Sequence, residues 1–245
     1  MQNLIFESIA AEAANRIQPF FEEILGGCPD KVHSLYVTGS AVTSDFREKT
    51  SDVNSLIVLN EMHFDFFKFL APLGKKFKSK GVAAPLVMTP SYINESLDVF
   101  PMEFLELKLI HKTAYGSDLV KDLEIDPKLL RLQCEREVKT RLIGLWQGYL
   151  SSLGATDIIA SLLSRSIKGC MPLFRSIIFV MGNIPPLKKI DVINALNGST
   201  QIDKEVFIKA LLLKEKRSKD QGEVLSLFES YYGNLETVAG IVNAL

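Results

Sequence analysis

The sequence predicts an α/β (α+β) domain with a small mixed sheet, followed by an all-α helical bundle domain. Short β-branched and aromatic runs alternate with helical segments up to about residue 125, which is typical of helices packed on a small sheet. Beyond Pro127 the apolar residues recur at helical spacing, and Gly, Pro or Asn separates the helical segments. A hydrophobic fraction of 47% in 245 residues suffices for two modest cores. We therefore predict domains at residues 1–125 and 126–245.

The first domain is predicted to alternate helices and strands. Helical spacing of apolar side chains predicts helices at residues 3–25, 62–79 and 90–97. Runs rich in β-branched or aromatic residues predict strands at residues 32–38, 53–59, 85–89 and 99–107. Gly26 and Gly27 end the first helix, and a polar loop over residues 43–51 joins the first two strands.

The second domain is predicted to consist of helices joined by short connections. The predicted helices span residues 129–153, 158–167, 171–181, 188–196, 204–214 and 223–245. Glycines, prolines or asparagines separate them, for example at Gly154, Gly169 and Asn197-Gly198. Short connections of this kind favour neighbouring helices in one bundle.

The bulk composition excludes several kinds of protein. A formal net charge of -1 provides no global basic field for a long nucleic acid. Cys28, Cys134 and Cys170 are far apart and form no CxxC or Cys/His cluster, which indicates a reducing compartment without a zinc site. The N-terminus lacks a secretory signal, and no segment is long and apolar enough to cross a membrane. We expect a cytoplasmic protein that does not associate with membranes.

The segment over residues 35–59 contains the side chains suited to phosphate and metal chemistry. At Gly39 the backbone can approach a phosphate closely, and the Ser40 hydroxyl can donate to its oxygens. A helix starting at this turn would add its dipole. Asp52 and Asn54 are two positions apart on the predicted second strand, so their side chains point to one face. Two oxygen ligands beside a phosphate cradle suit Mg²⁺ or Mn²⁺.

This segment resembles the nucleotidyltransferase signature of the DNA polymerase β superfamily, in which a strand, Gly-Ser and a loop precede Asp-x-Asp on the next strand. Here Asp52 follows Ser40 by twelve positions. The later Tyr115-Gly116-Ser117-Asp118 is similar to an element that closes the catalytic domain of small antibiotic nucleotidyltransferases, which also have a helical second domain. The resemblance implies a nucleotidyltransferase-type domain that binds ATP or another nucleoside triphosphate at Gly39, Ser40 and Ser51. It also implies magnesium binding by Asp52 and Asn54.

The resemblance further implies a third carboxylate on a later strand. Glu103 is the first candidate, because it lies among apolar residues of the predicted strand 99–107, where an unpaired carboxylate is costly without a cation. The same carboxylate is the candidate base for the acceptor proton. Asp98 at the entry of this strand is the second candidate, and Glu106 falls on the opposite face. Plainer roles stay open: Asp52 as a turn residue, and Glu103 as a solvent-facing side chain.

Asn54 departs from the superfamily pattern, which has an aspartate at this position. Its amide offers a neutral carbonyl oxygen but no negative charge, so a second divalent ion binds more weakly. The leading hypothesis is an enzyme that transfers a nucleoside monophosphate from a magnesium-bound triphosphate to a hydroxyl-type acceptor and releases pyrophosphate. The acceptor is expected to be a small molecule or a protein rather than a long nucleic acid. The alternative is a catalytically weakened or inactive relative that acts as a nucleotide-binding or regulatory module.

Overall fold

The computed structural model describes residues 4–200, 202–213 and 220–245. It divides into two compact units. The first comprises Met1–Val99 and Phe104–Ile125, and the second comprises Phe100–Glu103 and Asp126–Leu245. These units differ from the predicted domains 1–125 and 126–245 in the assignment of residues 100–103.

A four-stranded mixed sheet forms the centre of the first unit. Its strands are β1 (Val32–Thr38), β2 (Asn54–Leu59), β3 (Leu86–Met88) and β4 (His111–Gly116). The strand order is β3-β2-β1-β4, so β1 lies between β2 and β4, antiparallel to both, while β3 pairs parallel with β2 at the sheet edge. The small mixed sheet is confirmed, and the first three strands lie where the sequence predicts them.

Two helices of the first unit, α1 (Ala11–Gly27) and α2 (Phe64–Lys78), pack their apolar stripes into one core with the sheet. From α1, Ile17 and Phe21 are fully buried, because apolar residues three and four positions apart share one side of a helix. From β2, Ile57 and Leu59 belong to the same core, as the two-residue period of a strand requires.

The predicted start of the first helix at residue 3 is wrong. Residue 3 itself lies outside the described residues, and residues 4–10 are not helical. The Ile5 N–H donates to the Ala114 carbonyl of β4 (2.9 Å), and Ser8 has a φ of 60°, which a right-handed helix excludes. Apolar spacing predicts a helix here because the segment is amphipathic, but its backbone bonds to β4 through Ile5 and to the Ala41 carbonyl through Ala10 (3.0 Å).

The predicted fourth strand over residues 99–107 is also wrong. This segment forms the helix α4 (Pro101–Leu109), which follows the short helix α3 (Pro90–Glu95), and the fourth strand comes afterwards at His111–Gly116. Pro101 suits a first helical position, and the helix contains three leucines and two glutamates, which are good helix formers. A short apolar run does not distinguish a buried strand from a buried helix by periodicity.

The second unit contains five α-helices in its described residues. These are α5 (Pro127–Ser151), α6 (Thr156–Val180), α7 (Lys189–Ser199), α8 (Lys204–Leu212) and α9 (Gln221–Ala244). The predicted helical bundle is therefore confirmed, although residue 214, the predicted end of α8, lies outside the described residues. No helix in the described part of the chain combines the length and apolar composition needed to span a membrane.

The break predicted at Gly169 is wrong, because α6 continues through Gly169 and Pro172. A Cβ at Gly169 would stand 2.9 Å from Nη1 of Arg141 in α5, so the glycine makes room for this guanidinium at the α5–α6 contact. Tertiary packing thus outweighs the helix-breaking tendency of both residues. Asn197 and Gly198 likewise lie inside α7 instead of ending it earlier.

Candidate functional site

The chain turns sharply where β1 ends, at Gly39. Gly39 has a φ of +69°, and a Cβ there would stand 3.1 Å from Nδ2 of Asn54, so both backbone conformation and space favour glycine. Gly39–Val42 form a single 3₁₀ turn, after which Thr43 donates its N–H to the Ser40 carbonyl (3.0 Å). No α-helix starts here, so a helix dipole does not contribute. The Ser40 hydroxyl makes no hydrogen bond to a residue that the structure describes.

Asn54 lies against this turn. It opens β2 directly opposite Thr38, the last residue of β1. Its side chain is exposed, and its Cβ and Cγ lie 4.0 Å from the position that a Cβ on Gly39 would occupy. The structure therefore brings together Gly39 and Asn54, with Ser40 next in the chain.

Asp52 precedes Asn54 by two residues and is exposed. Its carboxylate accepts no hydrogen bond within the described part of the chain, and its Oδ1 lies 4.0 Å from the Cβ position of Gly81. The side chain lines an open depression of about 570 Å³. The other walls come from α1 (Glu12 and Arg16), the loop over residues 48–51 and the turn over residues 79–81.

The depression beside Asp52 has charged walls of both signs. Lys49 and Lys80 line it without a carboxylate partner among the described residues, whereas Arg16 is paired with Glu12 (Nε to Oε1, 2.8 Å). The ammonium groups can therefore interact with an anionic ligand at little cost in existing ion pairs. Ser51 also lines the depression, but its hydroxyl accepts a hydrogen bond from the Arg47 N–H (3.0 Å).

The start of β4 supports the Gly39 turn from the other side. His111 pairs with Thr38 in the β1–β4 ladder. The Nδ1 atom of His111 lies 2.7 Å from the Leu107 carbonyl oxygen, and its Nε2 lies 3.0 Å from Oδ2 of Asp118. The imidazole ring is therefore held between the Leu107 carbonyl and the Asp118 carboxylate.

Burial raises the pKa of Asp118, but several neighbouring groups together lower this pKa by a larger amount. They are the hydrogen bond and charge of His111 and the N–H donors of Val120 and Lys121, and together they hold the pKa of Asp118 below its usual value.

The Tyr115-Gly116-Ser117-Asp118 element closes onto β1. Gly116 has a φ of +77°, and a Cβ there would stand 2.1 Å from the carbonyl oxygen of His33, so only glycine fits. The buried Tyr36 hydroxyl donates to the Ser117 carbonyl (2.8 Å) and accepts from the Leu119 N–H (2.9 Å). The element therefore anchors the chain that leaves the sheet.

Glu103 does not occupy the strand position that the sequence predicts. It lies exposed on α4, in the second compact unit, and its Oε2 accepts a hydrogen bond from Nε2 of Gln133 (2.8 Å). The same Gln133 side chain accepts the Met102 N–H (2.8 Å). Glu103 is therefore not the costly buried carboxylate that the sequence predicts, because its side chain is exposed and accepts a hydrogen bond. Its roles as metal ligand and base stay predictions.

Comparison with known proteins identifies the fold. No family model matches the sequence, and no curated protein matches it significantly. Among solved structures, spectinomycin adenyltransferase AAD(9) from Enterococcus faecialis, crystallised with ATP and spectinomycin, matches with a TM-score of 0.52. The match covers 92% of this chain and 98% of that chain at 16% sequence identity. This chain has the nucleotidyltransferase fold.

The match agrees with the fold that the sequence predicts, but the third carboxylate is not on the sheet. Neither β3 (Leu86–Met88) nor β4 (His111–Gly116) contains an aspartate or glutamate. Asp98 precedes α4, and Glu106 lies within it. The described residues contain no group of three or more His, Cys, Asp or Glu side chains that could hold a metal ion.

The residues present fit a metal ion that arrives with its nucleotide better than one held by protein alone. Magnesium in nucleotide sites is commonly bound by one or two carboxylates together with substrate phosphates. Asp52 offers one unengaged carboxylate, and the exposed Asn54 amide offers a neutral oxygen. This ligand set suits one magnesium ion and disfavours a second.

The sequence does not indicate that Arg16, Lys49 and Lys80 come together beside Asp52. The depression joins α1, the 48–52 loop and the turn after α2, segments that are far apart in the sequence. The only local signal is the Glu12–Arg16 pair at a spacing of four residues, which predicts a helix-surface ion pair and nothing more.

Proposed function

We propose that this protein is a nucleotidyltransferase that uses ATP and a small molecule with a free hydroxyl group. One observation carries the proposal. The exposed, unengaged Asp52 carboxylate stands two residues before Asn54, whose side chain lies against the Gly39-Ser40 turn. On a nucleotidyltransferase fold, a glycine turn and an unengaged carboxylate two residues from its contact suit a triphosphate and its metal ion. The similar AAD(9) structure contains ATP and spectinomycin, which motivates the choice of substrates.

In the proposed reaction the oxygen of the acceptor hydroxyl forms a bond to the α-phosphorus of ATP. The bond from that phosphorus to the oxygen bridging to the β-phosphorus breaks, and pyrophosphate leaves. The hydroxyl proton passes to a base, for which Glu103 is the candidate from the sequence, or to water. Magnesium, when bound, neutralises phosphate charge and stabilises the leaving group.

The side chains of this chain would bind and orient the nucleotide. Gly39 lets the backbone approach a phosphate without a Cβ in the way, and the Ser40 hydroxyl is free to donate to it. Asp52 and Asn54 would hold the metal ion, and Lys49 and Lys80 would add positive charge on the Asp52 side. Catalysis would therefore rest on positioning and charge stabilisation.

A second candidate function is nucleotide binding without transfer. Asn54 favours it, because an amide supplies no charge for a second metal ion, and so does the lack of a carboxylate on β3 and β4. In this case the protein would bind ATP and magnesium but release no pyrophosphate. We propose transfer first because a single unengaged carboxylate, that of Asp52, is sufficient for one nucleotide-bound metal ion.

Pyrophosphate release distinguishes the two functions. We expect metal-dependent release from ATP with hydroxyl-bearing small molecules, abolished in Asp52→Asn. Asn54→Asp restores a charged ligand and should raise the rate roughly tenfold, equivalent to about 1.4 kcal/mol. If the natural protein and Asn54→Asp both bind nucleotide and neither releases pyrophosphate, transfer is excluded and the binding module is favoured.

A further inference from the structure

Arg16 joins α1 to the loop that leads into Asp52. Its Nη2 donates to the Glu48 carbonyl (2.6 Å) and its Nη1 to the Ser51 carbonyl (3.4 Å), while Nε donates to the Glu12 carboxylate (2.8 Å). The side chain is only 19% exposed. A single guanidinium thus bonds to its own helix and to two backbone carbonyls that lie more than thirty residues away in the sequence.

The backbone on the other side of Asp52 is fixed by a different segment. The Val53 N–H donates to the Gly81 carbonyl (2.8 Å), and the Ala83 N–H donates to the Val53 carbonyl (3.0 Å). The peptide groups before and after Asp52 are therefore both held by distant parts of the first unit. The carboxylate between them has no partner among the described residues.

Gly81 shows how closely these parts meet. Its φ is +74°, and a Cβ there would stand 3.0 Å from Nη1 of Arg16 and 4.0 Å from Oδ1 of Asp52. The guanidinium and the carboxylate therefore flank the same small space without forming an ion pair. Because Glu12 already pairs with Arg16, the Asp52 charge stays available to a cation.

We propose that Arg16 is a positioning residue for Asp52. It holds the 48–51 loop so that the Asp52 carboxylate is presented to a nucleotide-bound divalent cation before that ligand arrives. Ordering a loop on binding costs free energy, and a preformed anchor removes that cost. The inference rests on the proposed function, since it concerns the same metal ligand.

The test compares Arg16→Ala, Arg16→Lys and a control, Lys68→Ala. Lys68 is an exposed cation of the same unit, paired with Asp65 (3.0 Å). Calorimetry would measure ATP affinity with Mn²⁺ and, separately, with a chelator. We expect Arg16→Ala to reduce the Mn²⁺-dependent gain in ATP affinity roughly tenfold, as is common for residues that orient a metal ligand. The affinity for ATP in the presence of the chelator should stay unchanged, whereas a variant that fails to fold would lose this affinity as well.

Hydrogen exchange of the 48–53 amides provides the second readout. Arg16→Ala should accelerate exchange there, Arg16→Lys should recover part of the protection and of the Mn²⁺-dependent affinity, and Lys68→Ala should match the natural protein. If the natural protein binds Mn²⁺·ATP and Arg16→Ala keeps the full Mn²⁺-dependent gain in affinity, the positioning role is overturned. The proposed function then still stands. A natural protein without any Mn²⁺-dependent ATP binding would overturn the proposed function itself.

Discussion

At the residue scale, the candidate site depends on the close approach of Asn54 to Gly39, where a Cβ would stand 3.1 Å from Nδ2 of Asn54. The spacing of Gly39, Ser40, Asp52 and Asn54 predicts a turn with oxygen ligands nearby, and the structure places Asn54 against Gly39. Local spacing suffices because these residues flank two adjacent paired strands. Arg16 was not predictable, since its bonds to the Glu48 and Ser51 carbonyls depend on tertiary packing.

Asp118 makes a pH-dependent contribution to stability. Because its pKa is lowered in the folded protein, its carboxylate stabilises the fold above the pKa of the unfolded chain, about 3.9 for aspartate. That stabilisation is lost as the pH falls through the lowered pKa. We expect Asp118→Asn to be less stable than the natural protein at pH 7, with the gap closing below about pH 4.

Urea denaturation at pH 7 and in acid below about pH 4 checks this expectation. Asp122→Asn is the matched control, because the Asp122 side chain is 85% exposed and lies 3.9 Å from Lys121. It should leave stability unchanged at both values. A gap for Asp118→Asn that persists equally in acid would mean that the His111 bond does not act through the carboxylate charge.

At the scale of elements, most predicted bounds lie close to the observed ones, and the exceptions are the start of α1, the break predicted within α6 and the strand predicted over residues 99–107. The helices α2 and α5 and the strands β1 and β2 lie close to their predicted positions, because each has either a sustained apolar stripe or a β-branched run. Residues 99–107 were assigned to the wrong type, since their apolar content suits a buried helix as well as a buried strand. That error also placed Glu103 on a strand.

The contact between α5 and α6 gives a test of helix packing with an internal control. A Cβ at Gly148 would stand 2.7 Å from Cδ2 of Leu162, whereas a Cβ at Gly144, one turn earlier in α5, would meet nothing within 4 Å. Gly144→Ala should stabilise the fold by roughly 0.5–1 kcal/mol, because alanine favours the helix. Gly148→Ala should lose that gain to overpacking and be less stable than Gly144→Ala by about 1–3 kcal/mol.

Chemical denaturation of the two alanine variants measures this difference directly. Equal stability of Gly144→Ala and Gly148→Ala would show that Leu162 moves aside freely, which would contradict a close-packed α5–α6 contact.

At the scale of the whole molecule, the chain consists of two compact units, and the first has the candidate nucleotide site. The sequence predicts this order of an α/β part and a helical part from the change in periodicity near Pro127. We propose that the units are the two domains of the protein. The sequence does not predict that residues 100–103 belong to the second unit, because unit membership depends on packing rather than on position in the chain.

The central claim is that the first unit binds a nucleoside triphosphate through a metal ion held by Asp52. The most direct measurement is the unfolding midpoint with each nucleoside triphosphate, with and without Mg²⁺ or Mn²⁺, for the natural protein, Asp52→Ala and Asp65→Ala. Asp65 is the control because it is an exposed aspartate of α2 outside the depression. A ligand at a hundred times its dissociation constant stabilises by about 2.7 kcal/mol, which corresponds to several degrees. The account predicts such a metal-dependent rise in the natural protein and in Asp65→Ala, and its loss in Asp52→Ala. No rise with any nucleotide, or an equal rise in Asp52→Ala, would contradict it.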